Sequence, residues 1–361
     1  MNSCIKVLAI TQNFGFGPTS MLNRALNLLP QNCEIDGYIP EHLEPLIDRC
    51  LGVQIIGHDL PDVSDLKDNY DIVVVACDYE VARKLHKIIK KVIIFDMLFW
   101  FWPTIDEIVN QDVLVIVQNF LGVKERVNGR PSIKVVGPMV PKIPIIDKES
   151  EASSKALVNL GGFTSPFNRK KQADGYVDII LPTLRTIVDS FDHVNVIGGK
   201  SLVNLLQSLD HSLTAEIDIV SHENAISMIS RTSMYFTTPG LGSIYESFSS
   251  ETPTFFLPPT NLTQHFQLSR IVNELSYPWK PSFDFDDLIG NEEAYISSLY
   301  DFYNHSTQAL PASLVDSIKE FIASSVEQKK LVVNSGIKFF NTMGGASEKY
   351  VEHLVSRYIY G

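Results

Sequence analysis

Residues 237–247 read Thr-Thr-Pro-Gly-Leu-Gly-Ser-Ile-Tyr-Glu-Ser and follow a short apolar run. This order predicts a buried strand, a turn at the Pro-Gly pair and then a helix. Ser243 and Glu246 have the Ser-x-x-Glu spacing of a capping box, so we expect the helix to begin at Gly242 and Ser243. A helix start that glycines leave bare offers N–H groups and a partial positive charge, which suit a phosphate. Gly240, Gly242 and Ser243 are therefore candidate phosphate contacts, and Glu246 could accept hydrogen bonds from a ribose.

A second glycine-bearing turn follows the apolar run 157–160. Gly161 and Gly162 would let the backbone approach a ligand closely, and Thr164 could donate its hydroxyl to a phosphate oxygen. His222 follows another predicted strand and could lie beside a ligand.

Each of these residues also has a purely structural interpretation. Glu246 would then only close the capping box by accepting from the Ser243 N–H. Gly161 and Gly162 would only form a turn, and His222 would be an exposed loop residue. The local sequence leaves both interpretations open.

Length and composition limit the classes of function. The chain has 361 residues, enough for about two domains, and its 45% hydrophobic and 20% charged residues are typical of a soluble globular protein. The net charge is −12 and no basic stripe is present, which argues against binding to a nucleic-acid polymer. The most apolar run, 92–103, contains Asp96 and is too short to span a bilayer, so we expect no membrane partner.

The four cysteines all lie in the first quarter of the chain and have no Cys-x-x-Cys spacing. This pattern predicts reduced thiols. The first residues lack the charged segment and apolar core of a secretion signal. We therefore expect a cytoplasmic protein. We also expect small-molecule substrates, and the sequence leaves open whether the protein forms a homodimer.

Short, continuous apolar runs alternate with helix-like stretches in two series. Such runs are typical of parallel strands covered by helices on both faces, which predicts doubly wound α/β domains. The first series occupies residues 1–140 and the second occupies 156–335. The segment 141–155 is rich in Pro, Lys, Asp, Glu and Ser and is the predicted linker, and 336–361 is a predicted C-terminal helix.

The order of residues in 237–264 resembles the donor-site signature of UDP-sugar glycosyltransferases of the two-domain GT-B type. The residues that carry the resemblance are Thr238, Gly240, Gly242, Ser243, Glu246, Pro253, Pro258 and Gln264. The resemblance implies two Rossmann-like doubly wound domains that face an interdomain cleft. It implies that the first domain binds the acceptor and the second binds the nucleotide sugar. It also implies that the last helix crosses back to the first domain. It also implies that Gly161, Gly162 and Thr164 belong to the donor site, that His222 lies beside the uracil ring, and that Gln264 binds sugar hydroxyls.

Inverting transfer requires a base that takes the acceptor proton. Related enzymes often have a histidine in the loop after the first strand, and the corresponding loop 11–18 has none. Asp96 ends an apolar run and precedes an aromatic cluster, so desolvation would raise its pKa and favour it as the base. Asp78 is the second candidate, and either residue could instead cap a helix. The expected acceptor contacts are Asn13, Phe14, Gly15, Phe16 and Trp100.

The Asp-x-Asp pattern at 284–286 matches the motif of metal-dependent glycosyltransferases of a different, single-domain fold. Here it precedes Leu288, where acidic residues favour a helix start. A helix N-terminus can neutralise a diphosphate, so we expect neither a metal nor a cofactor besides the UDP-sugar as co-substrate.

Three segments, 158–167, 238–243 and 257–264, are similar to the cytosylglucuronate synthases of nucleoside-antibiotic pathways. That resemblance implies glucuronate transfer from UDP-glucuronate to cytosine. Plant-type and macrolide-type enzymes usually have an acidic residue where this chain has Thr263, which suits a carboxylated or N-acetylated sugar. Two alternatives share the fold: a UDP-N-acetylglucosamine 2-epimerase, and a non-catalytic nucleotide-sugar binder that needs no base.

Overall fold

The computed structural model describes residues 4–101, 113–127, 129–130, 132–141, 143, 155–161, 170–209, 213–275, 277, 292–305 and 309–361. The chain divides into two compact units, Met1–Pro141 with Asn341–Gly361 and Lys142–Phe340. Most of the predicted linker lies outside the described residues. Among the residues described, no helix combines the length and the apolar character needed to cross a membrane.

The first unit contains a seven-stranded sheet with the strand order β3-β2-β1-β4-β5-β6-β7. All its strand pairs are parallel. Every residue of β4 and β6 is buried, as expected for strands covered on both faces. The strands are β1 (Ile5–Thr11), β2 (Cys33–Tyr38), β3 (Gln54–Gly57), β4 (Ile72–Ala76), β5 (Lys91–Asp96), β6 (Leu114–Gln118) and β7 (Ile133–Val136).

Helices α1 (Gly17–Asn27), α2 (Tyr79–Leu85) and α3 (Val123–Val127) connect these strands. Short 3-10 segments cover Glu41–Leu46, Arg49–Leu51 and Val63–Leu66. In α1, Leu22, Ala25 and Leu26 form a buried apolar face.

The second unit contains a five-stranded parallel sheet with the order β10-β9-β8-β11-β12. Its strands are β8 (Lys155–Asn159), β9 (His193–Ile197), β10 (Glu216–Asp218), β11 (Met234–Thr237) and β12 (Thr254–Phe256). Its helices are α4 (Lys170–Val188), α5 (Lys200–Leu209), α6 (His222–Ser230), α7 (Leu241–Ser249), α8 (Leu262–Leu275), α9 (Glu292–His305) and α10 (Ala309–Ala323).

Aromatic packing fixes α7 within the second unit. Tyr245 of α7 stacks on Phe339 with ring centroids 6.5 Å apart, and Phe339 lies on α11 (Val326–Thr342). A Cβ on Gly336 would lie 2.4 Å from the Phe248 ring, so only glycine allows α11 this close to α7.

The C-terminal residues 341–361 belong to the first unit, where α12 (Glu348–Tyr360) packs. The Val92 N–H donates to the Tyr358 hydroxyl at 3.2 Å. A Cβ on Gly137 would lie 2.2 Å from the carbonyl oxygen of Gly345, so this approach also depends on glycine. Together the two sheets confirm the predicted α/β class with doubly wound parallel sheets.

Candidate functional site

The strand order places a topological switch point between β8 and β11, because the chain leaves these neighbouring strands in opposite directions. Ligands of open α/β sheets bind at the carboxyl ends of the strands at such a point. The turn after β8 contains Gly161, and the turn after β11 leads into α7.

Helix α7 begins with bare N–H groups, as predicted, but not at the predicted residue. Gly240 is the N-cap, with φ −69° and ψ 145°, and has no side chain to cap the helix. The first helical backbone bond runs from the Ile244 N–H to the Gly240 oxygen at 2.9 Å. The N–H groups of residues 241–243 precede that bond, and in this first turn they present the positive end of the helix dipole.

The predicted capping box is wrong. Ser243 is the third residue of α7 rather than its N-cap, and the side chain of Glu246 bonds elsewhere. The motif matched locally, but a tertiary partner, His222, engages the Glu246 side chain.

Glu246 and His222 contact each other. The Nε2 atom of His222 lies 2.8 Å from Oε1 of Glu246, and their side chains are 18% and 6% exposed. Because a carboxylate only accepts, the imidazole N–H is the donor. His222 is the first residue of α6, and Ser221 is the N-cap of that helix. The alternative interpretation of His222 as an exposed loop residue is therefore wrong. The predicted contacts of Glu246 with ribose and of His222 with uracil remain predictions.

The two turns at the switch point touch. Gly161 has φ +66°, and a Cβ there would lie 2.7 Å from Oγ1 of Thr238. The Thr238 N–H donates to the carbonyl oxygen of Asn159 at 3.1 Å. The fold therefore requires glycine at position 161. Gly162 and Thr164 lie outside the described residues.

Gly240 and Gly242 differ from Gly161, because the folded chain does not require glycine at either position. A Cβ on Gly240 would meet nothing within 4 Å, and one on Gly242 would meet only Oε1 of Glu246, at 3.7 Å. Neither residue has the left-handed backbone that favours glycine. The two glycines therefore leave the N-terminus of α7 open to a ligand.

Asn159 was missed by the sequence interpretation. Its Oδ1 accepts from the Gly161 N–H at 2.9 Å, and its Nδ2 donates to the Tyr235 hydroxyl at 2.9 Å. Tyr235 is fully buried, and burial followed by the Glu246 charge raises its pKa. An amide inside the apolar run 157–160 was the available signal, because a polar side chain in a buried strand needs partners.

Gln264 lies in the first turn of α8. Its Oε1 accepts from the Thr260 N–H at 2.8 Å, and the Asn261 Oδ1 accepts from the Gln264 N–H at 2.9 Å. A backbone N–H can only donate, so the carboxamide oxygen must face Thr260 and the NH₂ group must point away from it. Its role as a sugar ligand remains a prediction.

Asp96 lies at the end of β5 and is fully buried. Its Oδ2 accepts from the Tyr79 hydroxyl at 2.8 Å, and its Oδ1 accepts from the Leu98 N–H at 2.6 Å. Burial, and after it the Asp96 charge, raises the pKa of Tyr79. Asp78 caps α2 by accepting from the Val81 N–H at 3.0 Å, which confirms the capping interpretation for that residue.

The expected acceptor contacts fall into two groups. Asn13 is exposed, Phe14 and Phe16 are half-buried, and Gly15 turns the β1–α1 loop with φ +59°. Trp100 is buried, and its ring packs 5.4 Å from that of Phe120. The loop residues are therefore the more accessible part of the predicted acceptor site.

Within the described part of the chain, no group of three or more His, Cys, Asp or Glu side chains could hold a metal ion. The Asp-x-Asp pattern at 284–286 lies outside the described residues.

The two parallel doubly wound sheets define the α/β class, and comparison with known structures identifies the fold as GT-B. Neither a protein-family model nor a curated protein matches the sequence significantly. Os79 of O. sativa, solved in complex with UDP, matches with a TM-score of 0.62 and 10% identity over 98% of this chain and 100% of that one.

Two further solved structures match over nearly all of both chains. UGT71G1 of Medicago truncatula, complexed with UDP-glucose, has a TM-score of 0.54 and 12% identity over 98% of each chain. CalG4, the calicheamicin glycosyltransferase, has a TM-score of 0.52 and 13% identity over 99% of each chain. At these identities the likeness establishes the shared fold.

Proposed function

We propose that this protein is a glycosyltransferase that moves a sugar from a UDP-sugar to a small soluble acceptor, with inversion and without a metal. The observation that carries the proposal is the bare N-terminus of α7 at the switch point of the second sheet. Three N–H groups there precede the first helical bond, and the glycines leave them accessible. Solved structures of the same fold that contain UDP and UDP-glucose support the nucleotide assignment.

In the proposed reaction the acceptor attacks the anomeric carbon of the sugar, and the bond from that carbon to the β-phosphate oxygen breaks. UDP leaves with the bonding electrons, so negative charge grows on the β-phosphate. The N–H groups and the dipole of α7 would stabilise that charge, as preorganised donors do at other sites of developing charge.

The acceptor proton goes to Asp96 in this proposal. Its carboxylate has no exposed surface. This role therefore requires Asp96 to give up its hydrogen bond with Tyr79 or with Leu98 when the acceptor binds. An acceptor with an acidic proton, such as a nucleobase nitrogen, needs less help from the base.

For the substrates we propose UDP-glucuronate as the donor and cytosine or a related nucleobase as the acceptor. The three segments similar to cytosylglucuronate synthases support this choice. Thr263 brings no negative charge where related enzymes have an acidic residue, and the NH₂ group of Gln264 can only donate. An uncharged Thr263 and a donating Gln264 suit the carboxylate of a glucuronate sugar. An acidic side chain at position 263 would suit it less well.

The first test is calorimetric titration with UDP-glucuronate, UDP, UDP-glucose and UDP-N-acetylglucosamine, followed by measurement of UDP release with and without cytosine. Binding of the series, preference for the glucuronate and cytosine-dependent release of UDP are expected. Sugar interconversion without an acceptor would instead identify an epimerase, and binding without turnover a nucleotide-sugar binder. If no UDP compound binds, the proposed function is wrong while the fold stands.

A further inference from the structure

A short chain of hydrogen bonds links the turn after β8 to strand β11 at the switch point of the second sheet. It begins at the Gly161 N–H, which donates to Asn159 Oδ1 at 2.9 Å. The other end of the same amide donates to the Tyr235 hydroxyl at 2.9 Å. Tyr235 lies on β11, and the chain runs from the end of this strand through Thr238 to Gly240, the N-cap of α7. One amide and one phenol therefore connect the turn after β8 with the strand that leads into α7.

The backbone reinforces the same connection. The carbonyl oxygen of Asn159 accepts from the Thr238 N–H at 3.1 Å, so this one residue bonds to both turns. The missing side chain of Gly161 lets its turn lie against Oγ1 of Thr238. Neither turn can shift without breaking one of these contacts.

Tyr235 cannot contact a ligand directly, because its side chain is fully buried. Asn159 is half-buried and has both ends of its amide bonded. An effect of the Tyr235 hydroxyl on ligand binding would therefore have to act through the position of the two turns.

We propose that Asn159 and Tyr235 are positioning residues for the donor diphosphate, which fix the distance between the Gly161 turn and the first turn of α7. This inference rests on the proposed function, because it assumes that both turns bind the phosphates of a UDP-sugar. Hydrogen bonds from N–H to oxygen are effective only over a narrow range near 2.9 Å, so a small displacement of either turn lowers phosphate affinity.

The experiment compares the binding of UDP and of uridine, which lacks the phosphates, by calorimetry. The variants are Tyr235→Phe, Asn159→Leu and the double variant, with thermal unfolding measured for each. Tyr277→Phe is the matched control, because it also removes the hydroxyl of a buried tyrosine in the second unit, one that bonds to the Thr254 carbonyl oxygen.

We expect the dissociation constant for UDP to rise about tenfold in each single variant while that for uridine stays unchanged. The double variant should lose no more UDP affinity than the single variant with the larger loss, because both changes break the same link. Tyr277→Phe should leave both constants unchanged.

An equal loss of UDP and uridine affinity would overturn the inference, since it would indicate general damage to the unit. Unchanged UDP affinity in a folded Tyr235→Phe variant would also overturn it while leaving the proposed function intact. If Asn159→Leu does not fold, Tyr235→Phe decides alone, because it removes a single oxygen atom. Failure of the unsubstituted protein to bind UDP would overturn both.

Discussion

The substitution Gly242→Ala should make the folded protein more stable and its nucleotide binding weaker. Gly242 is the second residue of α7, and a Cβ there would lie 3.7 Å from Oε1 of Glu246, an ordinary contact distance. A glycine that packing and backbone conformation do not require costs helix stability. Its presence at this position is explained if a ligand needs the space.

The two effects have opposite signs and can be given magnitudes. Replacing glycine by alanine in a helix stabilises by about 0.5–1 kcal/mol, which for a unit of this size raises the melting temperature by about 1–4 °C. The methyl group would hold a phosphate away from the first-turn N–H groups. The loss of one hydrogen bond to a charged group costs about 1.5–3 kcal/mol, or about ten- to a hundredfold in UDP affinity.

Thermal unfolding without ligand measures the first effect, and calorimetric titration with UDP measures the second. Gly336→Ala is the contrasting control: its Cβ would lie 2.4 Å from the Phe248 ring, so it should lower the melting temperature. A rise in melting temperature of Gly242→Ala with unchanged UDP affinity would refute the assignment of α7 as the phosphate site. A fall in its melting temperature would refute the packing argument.

Three further substitutions test the remaining parts of the site. Glu246→Ala should weaken UDP binding by about 1.5–3 kcal/mol if the carboxylate binds ribose, whereas an unchanged dissociation constant in a folded variant would reduce Glu246 to a partner of His222. Gly161→Ala should lower the melting temperature by about 2–8 °C, because a left-handed backbone costs about 1–2 kcal/mol for alanine and its Cβ would clash with Thr238; an unchanged melting temperature would contradict this. Asp96→Asn should lower kcat about 10²–10⁴-fold and remove the limb of the pH–rate profile on which the rate rises with pH, and an unaltered rate and profile would exclude Asp96 as the base.

The sheets could be predicted because their signal is local. The runs at β4 and β6 are continuously apolar, and the structure buries every residue in them. Such runs favour strands covered on both faces, and their alternation with helices predicts parallel order.

The hydrogen bonds of the site could not be predicted, because they join residues far apart in sequence. Ser-x-x-Glu at 243–246 has the spacing of a capping box, yet Glu246 bonds to His222, 24 residues earlier. Asn159 bonds to Tyr235, 76 residues later. A local motif states which bonds a segment could make by itself, and it does not state which tertiary partners compete for the same atoms.

The first sheet provides an internal comparison, because it has a switch point of its own between β1 and β4, where α1 begins. There the second helical residue is Pro18, which has no N–H to donate. A Cβ on Gly17 would lie 3.1 Å from the Met97 sulfur, so an apolar side chain occupies the space beside this helix start. At α7 the second helical residue is Gly242, which has an N–H, and a Cβ there would meet only Oε1 of Glu246, at 3.7 Å. The helix start at this topological position is therefore better suited to an anion in the second unit than in the first.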